Sequence, residues 1–210
     1  MRAALCVDAL RLGRMLAELL PEESEVRGLV ALMELQGSRT VARRGPDGEA
    51  VLLPEQDRSL WDYAQIERGM SALDRAQRLG GGAQSYALQA AIAACHARAN
   101  TLAETDWERI VVLYDALLQV SGSPIVALNR AVAVGMAHGP AAGLEALDVV
   151  AAEPALAKYH LLPSVRGDLL VKLGRYAEAR KEFERALAMT DNVREQDLLS
   201  KKLKQTLLID

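Results

Sequence analysis

The chain has 210 residues, 50% of them hydrophobic but only 4% aromatic, and 25 basic residues against 28 acidic ones give a formal net charge of -3. This length supports one large domain or two small ones, and an apolar fraction so poor in aromatics favours helix-on-helix packing over sheet. With no overall basic field, direct DNA binding is not expected, and no apolar run reaches the roughly 18 residues of a membrane span.

In chain order, Leu5, Ala9, Leu12, Leu16 and Leu19 alternate steps of four and three, which predicts the buried stripe of a first helix. Arg2, Arg11, Arg14 and Glu18 take its other side. Pro21 ends this helix, and Pro21 to Ser24 opens a second whose buried face is Val26, Leu29, Leu32 and Met33. Residues 38–53 break the pattern. Turn signals at 45–48 between Thr40–Ala42 and Ala50–Leu52 read as a short hairpin or a long loop, the one place where strand is expected. Arg39, Arg43 and Arg44 in this segment read as a solvated basic patch.

Gln56 to Leu79 predicts a long helix, stopped by Gly80, Gly81 and Gly82. No strand precedes these glycines and no Lys-Ser/Thr pair follows, so they read as a flexible turn and not as a phosphate cradle. Ser85 to Ala99 is almost continuously Ala, Leu and Ile, a helix buried on most of its surface. Within it His96 reads as a core histidine, since its neighbour Cys95 points elsewhere and no third ligand is near. Cys6 and Cys95 share no metal-ligand spacing and read as small buried hydrophobes. With no secretory signal, the expected compartment is the cytoplasm, and neither metal nor cofactor is expected. The three histidines, 96, 138 and 160, share no short motif with a nucleophile, so catalysis is not expected.

Thr105-Asp106-Trp107-Glu108 reads as a capping box with Thr105 as the cap, and Ser123-Pro124 as an N-cap followed by a proline in the first turn. The helix from Ile125 to Ala137 then meets an antiparallel partner opened by Gly139-Pro140. Leu161 to Met189 has the residue choices of a tetratricopeptide repeat: Gly167 and Ala179 for close helix approach, Leu170, Phe183 and Ala186 between the helices, Gly174 at the turn. Gly139 and Gly174 lie about one such period, roughly 34 residues, apart. Asn192-Val193-Arg194-Glu195 is a second capping box. It opens a final helix striped by Leu198, Leu199, Leu203 and Leu207, whose outer face of Lys201, Lys202 and Lys204 suits a terminal cap. The predicted fold is all-α: about ten helices in antiparallel hairpins forming a tetratricopeptide-like right-handed superhelix, with an N-terminal helical region over 1–100 and repeats over 101–210 in one continuous stack.

Several stretches carry a more specific likeness: Leu53 to Asp62, Tyr86 to Ala94, Asp106-Trp107 with Leu113-Tyr114-Asp115, Ser123 to Ala133, and Gly139 to Leu144. Together they resemble the C-terminal, tetratricopeptide-like extension of bacterial RNA polymerase sigma factors of the extracytoplasmic function (ECF) group, over about Leu5 to Leu203. The resemblance implies a regulatory, protein-binding module whose partners are the sigma factor's N-terminal regions, the polymerase or a regulatory protein. The two sigma regions, 2 and 4, that bind DNA and polymerase in that family are not visible here. That leaves an isolated domain of a longer protein or a split homologue, and the start at Met1 directly before a helix of the extension favours the former. A free-standing repeat adaptor or a small-molecule sensor is the alternative.

Candidate contact residues are Asn129, Arg130 and Arg166 on the first helices of successive hairpins, where aligned guanidiniums could take a carboxylate. The competing expectation is that the arginines pair with Asp148 or Asp168 and set repeat register. Arg58 and Trp61 are the second candidate surface, weighed against a packed Trp with a local salt bridge.

Overall fold

The computed structural model describes residues 3–46 and 48–207, with side chains from Leu5 onward. The expected place of Arg2 lies outside the described residues. Among the described residues there are ten α-helices: α1 (Ala3–Leu19), α2 (Ser24–Gly37), α3 (Tyr63–Arg78), α4 (Ser85–Arg98), α5 (Trp107–Ser121), α6 (Pro124–Ala137), α7 (Pro140–Ala151), α8 (Leu161–Lys172), α9 (Tyr176–Leu187) and α10 (Val193–Leu207). Among the described residues the only β pairing is an isolated bridge between Arg44 and Ala50. The fold is all-α, and each helix packs on its chain neighbours within two compact units, residues 1–121 and 122–210.

In the first unit α2 is the hub, packing on α1, α3 and α4, while α5 packs on α4. Its core joins Ala31 and Leu35 of α2, Trp61, Ile66 and Leu73 before and within α3, and Ala87, Ala90 and Ala94 of α4. As expected, α4 is buried on most of its surface. The helices come close because the contacts are small: a Cβ on Gly28 would stand 2.7 Å from the Ala87 backbone nitrogen.

Three expectations fail here for physical reasons. On α2 the row Val26, Leu29, Leu32 and Met33 is only half-buried, and the buried positions include Gly28, Val30, Ala31, Glu34 and Leu35, where the small Gly28 and Ala31 let α4 and its neighbours come close. The row Leu5, Ala9, Leu12, Leu16 and Leu19 of α1 faces outward, with Leu5, Leu12, Leu16 and Leu19 exposed by 59, 57, 39 and 77%. The opposite row, Cys6, Leu10, Gly13 and Ala17, turns inward, because only the small Gly13 and Ala17 let Met33 and Val30 of α2 approach. The helix predicted from Gln56 begins only at Tyr63. Asp57 accepts bonds from the Ser59 amide and hydroxyl, which closes a short 3-10 turn at Arg58–Leu60, and Asp62 then caps α3 through the Gln65 amide at 2.8 Å. Side chains that satisfy local amides compete with helix propagation.

The second unit is built as two hairpins, α6/α7 and α8/α9, joined by packing of α7 on α8 and closed by α10 on α9. Leu128, Leu147, Leu162, Leu170, Ala179 and Phe183 form its core, with Ala186 and Leu199 fully enclosed beside them. Gly174, at φ +73°, makes the turn between α8 and α9 as expected. The capping positions are shifted from expectation. α5 is capped by Asp106, which accepts from the Arg109 amide at 2.9 Å, while Thr105 is buried and turns its hydroxyl to Thr101. At α10 Asn192 accepts from the Arg194 amide, but Glu195 takes the Thr190 hydroxyl and does not reach back to Asn192.

Gly167 and Phe183 are the tightest contact of this unit: a Cβ at 167 would stand 2.5 Å from the ring. Gly167→Ala should cost about 1–3 kcal/mol by overpacking, and Phe183→Ala about 3–5 kcal/mol by cavity formation. The double variant should cost less than the sum, because removing the ring opens the space that the new methyl needs. Urea unfolding of the four proteins measures this, and strict additivity would mean that the two residues do not share the contact.

Candidate functional site

A group of polar side chains with bonds that reach beyond their own helix lies in the first unit, around the loop between α2 and α3. The loop is held at both ends: Ser38 donates its hydroxyl to the Leu35 carbonyl, and the Asp62 amide donates to the Ser38 carbonyl at 2.9 Å. Gln36, at the end of α2, gathers two arginines of the loop. Arg39 and Arg43 each donate to its side-chain oxygen at 2.6 Å, and Arg43 also donates to its backbone carbonyl. Arg58 reaches the other way and donates through one nitrogen to the carbonyls of His96 and Ala99, at 2.6 and 2.8 Å. It thereby caps the C-terminus of α4, where a cation also complements the helix dipole. The same guanidinium lies 4.6 Å over the ring of Trp61.

These three arginines are half-buried, and among the described residues no carboxylate forms an ion pair with any of them. Burial, followed by repulsion from Arg43 and Arg58, pushes the Arg39 guanidinium down to about 10. Burial likewise lowers Arg43 and Arg58. His96 beside them is pushed down to about 4, first by burial and then by Arg39 and Arg58. It packs edge-on against Trp107 and stays neutral, but it is not the satisfied core histidine expected, because its Nδ1 is buried without a hydrogen-bond partner. Among the described residues four buried nitrogens of this cluster have no hydrogen-bond partner: Arg43 Nε, Arg58 Nη2, Trp61 Nε1 and His96 Nδ1. Such groups each cost on the order of 1–3 kcal/mol when unmet.

In front of this cluster lies a cleft of about 770 Å³. Leu10, Arg11 and Arg14 of α1 form one wall, Met33 and Gln36 of α2 another, and Arg43, Trp61 and Arg68 complete it. Trp61, 5% exposed, is its floor, whereas Val7, Val41 and Leu60 are exposed at its rim. At one side Glu34, 2% exposed, is held between two of the lining arginines. Arg14 contacts one carboxylate oxygen at 2.7 Å, and Arg68 approaches the other at 3.6 Å, close enough for an ion pair but not for a hydrogen bond.

The structure distributes the expected site residues as follows. Trp61 is part of the core and the cleft floor, and Arg58 caps α4; no ion pair joins Arg58 to Asp57 among the described residues. In the second unit Asn129 is exposed and Arg130 half-buried on α6, while Arg166 of α8 pairs with Asp148 of α7 at 2.6 Å. Asp168 instead takes Lys202 of α10. Gly167, Leu170, Ala179, Phe183 and Ala186 pack together as expected. The loop arginines, read from sequence as a solvated patch, are the residues that reasoning from the sequence missed. Their signal was Gln36, one helix end away, whose amide can serve two donors at once.

Residues 1–77 match a family of unknown function, DUF6596, and this stretch contains every residue that lines the cleft. The chain is 45% identical over 193 residues to an uncharacterized protein of Rhizobium meliloti (strain 1021). That alignment covers 92% of this chain and 45% of the relative, so the chain spans less than half the length of that protein. No solved structure matches at a significant level. Among the described residues no helix is long and apolar enough to cross a membrane, and no cluster of His, Cys, Asp or Glu could hold a metal ion.

Two measurements check the electrostatics. Replacing Arg14 or Arg68 alone by Met leaves Glu34 one partner, whereas the double replacement leaves a buried charge alone and should cost about 3–5 kcal/mol; chemical unfolding would show the double variant well beyond either single. His96 is neutral in the folded chain at a pH where the unfolded chain takes up its proton. Stability is therefore full above pH about 6.5 and falls as the pH drops toward 4, by up to about 3 kcal/mol. Measured relative to His96→Gln, the wild-type chain should lose that amount between pH 7 and 4, and a constant difference would contradict it.

Proposed function

We propose that this chain is the C-terminal regulatory domain of an ECF-type sigma factor, a cytoplasmic module that tunes transcription initiation through protein contacts and not through catalysis or direct DNA binding. The observation that carries the protein-contact reading is the outward apolar row of α1, Leu5, Leu12, Leu16 and Leu19. A contiguous row of large aliphatic side chains is a surface that a stable protein ordinarily covers with a partner. The sigma-factor attribution comes from the stretches between Leu53 and Leu144 that resemble the ECF extension. It is supported by a relative in which the matching region makes up less than half of the chain, as a module beside further segments would. The sigma factor's own N-terminal regions are the first partner proposed, with the polymerase or a regulatory protein as the others. A second reading, a small-molecule sensor, is favoured by the cleft.

Run-off transcription from a cognate promoter tests the main reading, using a sigma factor with this segment intact, deleted, or carrying Leu12→Glu with Leu16→Glu. Deletion should change transcript yield several-fold, and the double variant, altered only at exposed positions, should reproduce much of that change. Equal yields from all three would remove sigma control as the function.

A further inference from the structure

The cleft in front of the arginine cluster has a polarity that protein contact alone does not explain. Its floor is the Trp61 ring, with an indole N–H that has no acceptor, and Leu10 and Met33 supply apolar wall. Of the arginines on the lining, Arg14 and Arg68 are committed to Glu34. Arg43 and Arg11 have no carboxylate partner among the described residues. Arg43 is moreover backed by Arg39 on the same Gln36 oxygen, so positive charge accumulates behind it. The lining carboxylate, Asp62, is engaged as the cap of α3. A space of about 770 Å³ lies in the range that encloses small organic ligands.

We propose that this cleft binds a small amphipathic monocarboxylate, its apolar body on Trp61, Leu10 and Met33 and its carboxylate at Arg43, with Arg11 at the rim adding attraction. The charge sign selects an anion, since a guanidinium with no acid beside it favours a carboxylate as its charge-assisted partner. A singly charged head suits the one lining guanidinium that is both half-buried and without an acid. The apolar floor selects a ligand with a hydrocarbon or aromatic body over a bare inorganic ion. The site stands on the first unit's geometry alone and does not depend on the sigma-factor reading: failure to bind would leave transcription control standing, and unchanged transcription would leave the ligand site standing.

The full chain is titrated with decanoate, and with decanol as the neutral match, by calorimetry and tryptophan fluorescence. One decanoate per chain is expected, with decanol at least about tenfold weaker, since a charge-assisted pair is about twice as strong as a neutral hydrogen bond. Arg43→Gln should weaken decanoate about tenfold and bring it close to decanol. Arg11→Gln, at an exposed position that does not threaten the fold, should weaken decanoate less and reduce its dependence on salt. Should Arg43→Gln fail to fold, the Arg11→Gln result and the decanoate-to-decanol ratio of the wild-type chain decide. No saturable binding of decanoate, equal binding of decanol, or decanoate binding unchanged in the folded variants would each overturn the proposal.

Discussion

Close backbone approach is the constraint on which both units depend. A chain with one phenylalanine and only 4% aromatic residues cannot fill space between helices with large rings. The helices must come together at Ala and Gly. Gly28 meets the Ala87 backbone, Gly143 meets Gly135, and Gly167 lies under the single phenylalanine, Phe183; in each case a Cβ would stand 2.5 to 2.7 Å from its neighbour. Interiors packed this way have little slack, because a single added methylene is felt at native density. Room for a ligand therefore has to come from a place where helix packing gives out, and the cleft lies at such a place, between α1, the end of α2 and the loop that follows it.

The same constraint explains what the sequence made legible. The α8/α9 hairpin could be read because its small and large residues pair across one short turn, so local spacing alone places Gly167 opposite Phe183. Helix α1 was harder. It carries Leu5, Val7, Leu10, Leu12, Met15, Leu16 and Leu19 around most of its circumference, so the period of the pattern admits more than one buried face. Size decided between them. The row with Gly13 and Ala17 is the only one that lets α2 approach, and the bulkier leucines were left outside. The start of α3 was misplaced for a different reason: Asp57 and Ser59 close a turn inside an otherwise helical apolar pattern, and a side-chain bond to an amide does not show in hydrophobic periodicity.

The arginines of the first unit were illegible because their environment is assembled from distant parts. Arg39 and Arg43 read as a solvated patch when only their neighbours in sequence are considered. Their placement follows from Gln36, which accepts from both, and that of Arg58 from the last carbonyls of α4, 38 and 41 positions away. Arg166 shows the opposite case: its partner Asp148 lies on the preceding hairpin, and an acid one helix back was a foreseeable match.

Helix α1 connects these features. Its contact with α2 is made by small side chains, which bury little apolar area, so its attachment leans on Arg14 and the buried Glu34 that Arg68 shares from α3. The wall that α1 gives to the cleft and the row of leucines that it turns outward are two sides of one helix, fixed by the same ion pairs. A molecule that fills the cleft touches the inner side, and a protein that covers the leucines touches the outer one. The α8/α9 hairpin, closed on Phe183, is held the other way, by packing of small residues against one large ring and not by a charged clamp.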